Sequence, residues 1–91
     1  MDAGELKRTE QILKALANRR RITMIRLLKQ ESTLSVGELA EKMKLSFKAT
    51  SNHLALLRAA DIVERDQSGL IMNYRLMSPL HSLVKVVLSE K

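Results

Sequence analysis

The chain of 91 residues contains no cysteine. That excludes a disulfide framework and a thiolate metal site, and it removes any demand for an oxidising compartment. Only three glycines and one proline punctuate it, with no linker, low-complexity tract or internal repeat, so residues 1–91 are expected to form one domain. No apolar run approaches the roughly 18 to 20 residues of a membrane span. The opening stretch MDAGELKRTE lacks the basic head and apolar core of a signal peptide. A cytoplasmic protein without a membrane partner is the expectation. Two histidines, no cysteine and no Gly-rich phosphate loop leave neither a nucleophile with its base nor a metal set, so catalysis and a cofactor are not expected.

What the chain does have is positive charge and a modest apolar fraction. Sixteen Lys and Arg against ten Asp and Glu give +6, the footprint of a polyanion binder. An apolar content of 45% supplies one core with little margin in so short a chain, and self-association would add to it.

Periodicity divides the chain into four helices, a hairpin and a last helix, a mainly α fold with a small β wing in the order α-α-α-α-β-β-α. Leu6, Ile12, Leu13 and Leu16 recur at helical spacing from about Glu5 to Ala17. Asn18 then suits the cap of a second helix with Ile22, Ile25 and Leu28 facing inward. Residues 30–34 read as a polar connection, and Ser35-Val36-Gly37-Glu38 fits a capping box opening a short third helix that buries Val36, Leu39, Ala40 and Met43. The pattern breaks at Lys44-Leu45, and Ser46 is placed to cap a fourth helix running to about Ala60. A short helix, a tight turn and a second helix make a helix-turn-helix. After Asp61 the period becomes two, with Met72, Tyr74 and Leu76 alternating with Asn73 and Arg75 around a turn near Ser68-Gly69. Ser78-Pro79 reads as cap and first position of the last helix, whose apolar stripe is Leu80, Leu83, Val84, Val87 and Leu88, with Val86 beside it.

The fourth helix, SFKATSNHLALLR, carries Ser, Thr and Asn where a helix held only by its core would carry better helix formers. Lys48, Ser51, Asn52 and Ala55 share one face at i, i+3, i+4, i+7, opposite Thr50, Leu54 and Leu57. A short, hydrogen-bonding, uncrowded face is what a DNA major groove requires: the backbone comes close, Asn bonds adenine bidentately, and Ser and Lys reach phosphates or base edges.

Three segments together resemble the ArsR/SmtB family of bacterial winged-helix repressors: LKALANRRRITMIRLL (13–28), LSVGELAEKMKLSFKATSNHLALLRAADIV (34–63) and NYRL (73–76). The resemblance implies a homodimeric transcriptional regulator, a repressor, that binds an inverted repeat of double-stranded DNA. The first and last helices pack about the two-fold axis, and Leu6, Leu13, Leu83 and Val87 are the candidate interface. The candidate DNA contacts are Ser46, Phe47, Lys48, Ser51 and Asn52 on the fourth helix, Arg65, Gln67 and Ser68 in the wing, and Arg20 and Arg21 at the start of the second helix. Arg19 stands beside those two arginines, where a helix dipole opposes cations. Phe47 occupies a place where family members carry Gln, and contact with DNA and anchorage in the core both remain open for it. His53 borders the packing face, so a structural hydrogen bond is expected of it. For Arg65 and the arginines 19–21 the alternative is solvated surface.

Departures from the family pattern matter too. Asn18-Arg19-Arg20-Arg21 replaces Asp-Pro-Thr-Arg, and Asp61 stands where the family has glycine, at a small cost if that position is left-handed. Ser35-Val36-Gly37 replaces the family's Cys-Val-Cys metal segment, and hydroxyl and hydrogen are poor substitutes for thiolates. Ser78 and Leu80 replace the first ligands of the family's second metal site, and Lys91 arrives before the second pair. His81 is expected in the first turn of the last helix without a partner ligand. No metal is expected, and no small-molecule effector can be named. Two alternatives stand beside the main reading: a winged helix used as a protein-interaction module, and a metal- or small-molecule-responsive sensor of the same family.

Overall fold

The structure is a computed structural model and describes residues 1–90. Five helices and three short strands follow in the order α1 (Ala3–Leu16), α2 (Arg19–Glu31), β1 (Leu34–Ser35), α3 (Val36–Met43), α4 (Phe47–Ala59), β2 (Val63–Ser68), β3 (Ile71–Leu76) and α5 (Ser82–Ser89). The expected winged helix-turn-helix order holds, with two differences in detail.

Local side-chain chemistry starts each helix. Asp2 accepts from the Glu5 N–H at 2.8 Å and opens α1 two residues earlier than the apolar pattern indicates. Asn18 accepts from the N–H groups of Arg20 and Arg21, Ser35 and Glu38 form the reciprocal capping box, and Ser46 accepts from Ala49. Each cap satisfies an orphan donor of the first turn.

The helix-turn-helix is bounded at both C-termini by the same device. Lys44 and Asp61 sit in the left-handed region at φ 55°. Leu45 N–H bonds Ala40 O, and Ile62 N–H bonds Leu57 O, six-residue closures of the Schellman type. In each case the next residue, Leu45 or Ile62, folds back onto the core. The Asp61 carboxylate meets Arg8 Nη1 at 3.2 Å, an exposed pair that ties α1 to the turn after α4.

Leu34 and Ser35 pair antiparallel with Tyr74 and Asn73, making a three-stranded sheet in the order β1-β3-β2. Two residues are too few to show strand alternation, which is why this segment reads as a plain connection before Ser35. The second difference concerns α5. Ser78-Pro79 does not open it; the helix begins at Ser82, and the His81 ring takes the cap position, its Nδ1 accepting from Leu83 N–H at 3.1 Å. Met77 N–H still bonds Ile62 O, and Leu80 packs against the core, so residues 77–80 complete the wing's attachment before helical geometry begins.

The core gathers Ile12 and Leu16 of α1, Met24, Ile25 and Leu28 of α2, Leu39 of α3, Leu54 and Leu57 of α4, Ile62 of the turn after it, Val63 of β2, Tyr74 of β3 and Val84 of α5. Thr50 is the buried polar side chain, and its hydroxyl donates to Ser46 O at 2.9 Å. No helix among the described residues is long and apolar enough to cross a membrane.

Candidate nucleic-acid interface

With Thr50, Leu54 and Leu57 buried, helical geometry turns the opposite side of α4 outward. Lys48, Asn52 and Ala55 are exposed and Ser51 is half-buried. Their side chains are short apart from Lys48, so nothing along this side obstructs a close approach of the helix backbone. Ser46 is exposed at the helix start with its hydroxyl engaged as the cap.

The hairpin β2-β3 flanks this face. Between α4 and the hairpin lies a groove of about 620 Å³ lined by Ser51, Asn52, Ala55 and Arg58 on one wall and by Glu64, Arg65 and Tyr74 on the other. Register pairs Arg65 with Tyr74 and Glu64 with Arg75. Strand alternation therefore places Glu64 and Asp66 on the face of the ribbon opposite Arg65. Arg75 bonds Glu64 through Nε at 2.8 Å and also pairs with Asp66, and these two carboxylates hold its guanidinium charged. One of the two negative charges on this face of the wing is thereby neutralised locally. Arg65 lies within hydrogen-bond distance of the Tyr74 hydroxyl, 3.4 Å, and has no carboxylate partner among the described residues. Gln67 Nε2 donates to Gly69 O across the turn, and Ser68 is exposed beside it.

The other flank of α4 meets the start of α2. Arg19 and Arg20 are exposed there. Arg21 is not a free cation: Nε donates to Ala15 O at 2.6 Å, Nη2 to Lys14 O at 3.1 Å, and Nη1 lies 3.3 Å from His53 Nδ1. Because a guanidinium only donates, His53 Nδ1 accepts and the ring proton resides on Nε2. Burial, and then the charges of Arg21 and Arg20, pushes the His53 pKa down and keeps the ring neutral. The sequence pairs Arg20 with Arg21 as DNA contacts; the structure separates them, making Arg21 a clasp on the C-terminal carbonyls of α1.

Phe47, for which two placements were open, lies outside the core with 63% of its surface exposed. It borders a shallow depression of about 260 Å³ together with Leu70, Ile71 and Met72 of the wing tip. Away from the α4 face, Leu6 and Leu13 of α1 are 57% and 50% exposed, and α1 packs beside α5. Leu83 and Val87 are half-buried against their own core, whereas Val86 points outward. Sequence reasoning set Val86 beside the stripe and passed over Leu70 and Ile71; an apolar residue following Gly69 in a hairpin turn is the signal that could have marked them. Among the described residues no group of three or more His, Cys, Asp or Glu could hold a metal ion.

The model of the arsR family of bacterial regulatory proteins matches residues 18–65, from the cap of α2 to the wing's Arg65. The chain belongs to this family. It is 40% identical over 67 residues to the transcriptional activator HlyU of Vibrio cholerae, a match covering 74% of this chain and 61% of that protein's length. A structure of HlyU from Vibrio cholerae superposes with a TM-score of 0.78 at 34% identity, covering 97% of this chain and 90% of the other. The homodimeric winged helix-turn-helix DNA-binding domain of Mb0332 from Mycobacterium bovis, described as a possible ArsR-family transcriptional regulator, gives 0.84 at 26% identity over 93% and 76% of the two chains. The transcriptional repressor PagR of Bacillus anthracis shares the fold, with a TM-score of 0.79 at 23% identity over 96% and 95%. These relatives are regulators of transcription rather than enzymes, and the winged helix-turn-helix of this ArsR-family chain is of the DNA-binding kind.

Proposed function

We propose that the chain is a single-domain, cytoplasmic repressor that binds an inverted-repeat operator as a homodimer and acts by occupying promoter DNA. The observation that carries this reading is the bare side of α4, with Lys48, Asn52 and Ala55 exposed between Arg65, which has no carboxylate partner among the described residues, on one flank and the exposed Arg20 on the other. In the major groove Asn52 reads adenine through its amide, while Ser51 and Lys48 reach base edges or phosphate. Arg65 and Arg20 contact the sugar-phosphate backbone on either side, with Ser68, Gln67 and Ser46 at the margin. Arg21 supports the site from within, and a solvated wing or arginine cluster with no DNA contact is the competing account.

Self-association follows from α1 and α5. Leu6, Leu13 and Val86 leave apolar surface in the open on adjacent helices, and the edges of Leu83 and Val87 continue it. Burying that surface against a second copy adds to a small core. A two-fold dimer then sets two α4 helices about 34 Å apart, one turn of duplex.

Selection of bound sequences from a random duplex pool tests the whole reading. An inverted repeat with half-sites about 10 base pairs apart, and affinity falling steeply with salt, is expected. Absence of duplex binding even at low salt would refute this reading and favour a protein-interaction module instead. Transcription in vitro from a promoter carrying the recovered site decides the sign, with reduced transcript expected. Calorimetry with zinc, followed by release of DNA, is the result that would restore a metal sensor.

A further inference from the structure

Leu70 is fully exposed, at 100% of its surface, on the tip of the wing. It is the second residue of a two-residue turn, between Gly69 at φ 62° and Ile71, which pairs with Ser68. Glycine at the first position suits the II′ turn that matches strand twist. Polar and small residues solvate such tips, so leucine there gains nothing from the turn and nothing from the core. It also leaves an apolar tip on a strand pair, a known hazard for edge association. A residue that breaks local rules with no compensating contact inside the chain points to a contact outside it.

We propose that Leu70 is an apolar DNA-contacting residue, seated in the minor groove beside each half-site against the sugar walls and the base edges. This rests on the DNA-binding reading above and deepens it. Leu70 and Ile71 share a depression with Phe47, the first residue of α4, and with Ser35, Val36 and Gly37 at the start of α3, so the tip stands beside the N-terminal end of α4, the end that enters the major groove in the reading above. Six-residue strands reach about 20 Å, enough to cross the backbone rail from a major groove roughly 12 Å wide. The minor groove, about 6 Å wide, admits one leucine side chain at a tip reduced to Gly69 and Leu70. Arg65, on the same hairpin and without a carboxylate partner, anchors the approach by charge, while Leu70 supplies contact that no phosphate provides. Apolar side chains inserted along a minor groove partly unstack a base step and favour flexible pyrimidine–purine steps, so Leu70 also selects flanking sequence.

The test uses the full chain and the inverted-repeat duplex recovered from the random pool. Leu70→Ser is expected to weaken binding about tenfold, the equivalent of one buried leucine, with the salt slope unchanged because no counterion-releasing contact is lost. Leu70→Met, which keeps the apolar area, is expected to stay within about twofold. Hydroxyl-radical footprinting should show the wild type protecting sugars in the minor groove flanking each half-site, and Leu70→Ser losing that protection alone. Unchanged affinity and footprint in Leu70→Ser, with Asn52→Ala still impaired, overturns the proposal and leaves the DNA reading standing. A reduced salt slope in Leu70→Ser also overturns it, because the loss then comes from displaced charge. Wild-type chain that binds no duplex removes both readings.

Discussion

Arg20 and Arg21 are adjacent, identical in chemistry and opposite in consequence. Replacing Arg21 by Ala removes two charge-assisted bonds to the carbonyls of Lys14 and Ala15 and the bond to His53. Hydrogen bonds to a charged group contribute roughly 1.5–3 kcal/mol each, but Lys14 O is exposed and water replaces that partner. A net loss of about 2 kcal/mol results, which for a domain of this size lowers the melting temperature by about 10 °C. Arg21→Lys places a point charge where a planar fork reached three acceptors, so it recovers only part of this. Arg20→Ala removes an exposed side chain, leaves stability within about 0.5 kcal/mol, and lowers the salt slope of DNA binding by about one phosphate. Urea unfolding at one protein concentration and DNA titration at several salt concentrations measure both effects. An unchanged midpoint for Arg21→Ala, or a lowered one for Arg20→Ala, would refute the division of labour.

Three further outcomes follow from the same geometry. Asn52→Ala should lose about 1–3 kcal/mol of discrimination at one base step while leaving the melting temperature in place, read by repeating the random-pool selection with the variant. Leu13→Glu should convert dimer to monomer in sedimentation at micromolar concentration and abolish tight operator binding, because it puts a charge on the exposed apolar side of α1. His53 has a folded pKa below its ordinary 6.5, so the folded state favours the neutral ring. Its contribution to stability is complete above the unfolded value and is lost as the pH falls from about 6.5 through the folded one. His53→Gln should flatten the urea midpoint across that window, and an equally steep profile in the variant would refute the assignment.

Much of this molecule was legible because helix starts are local. Asn18, Ser35 and Ser46 cap α2, α3 and α4 through their own neighbours' N–H groups, and a cap with its box is visible in four residues. The start of α5 differs from its sequence signal for a physical reason: Ser78-Pro79 carries the same cap pattern, but Met77 is held by Ile62 and Leu80 by the core, and His81 caps in their place. Strand β1 is two residues long, and its pairing with Tyr74 and Asn73 is a long-range fact that periodicity does not carry. Asp61 is the converse case. Comparison with the family glycine raises a left-handed residue there only as a condition, and φ is 55°, while its ion pair with Arg8 is visible only once α1 lies beside the turn.

Net charge shows least about where the site is. Of the cations, Arg8 is paired with Asp61, Lys14 with Glu10, and Arg75 with Glu64 and Asp66, while Arg21 and Arg26 bond carbonyls of α1 and of Glu90. These groups fasten one element to another, or brace one internally, and hold little charge in reserve for an outside anion. Among the described residues that make no ion pair, Lys48 and Arg58 on α4, Arg19 and Arg20 at the start of α2 and Arg65 on the wing stand on or beside α4, whereas Lys7, Lys29, Lys42 and Lys85 stand on other helices. A surplus of +6 spread evenly would attract any polyanion without register. Carboxylates that pair with Arg75 on the outer face of the wing leave Arg65, Arg20, Lys48 and Arg58 as the unpaired cations nearest Asn52 and Ser51, and these are the charges that would draw an anion to that side of α4. Removing the wing's own neutralisation, with Glu64 and Asp66 both changed to Gln or Asn, would free Arg75 and raise affinity for any duplex while lowering the ratio of operator to random DNA.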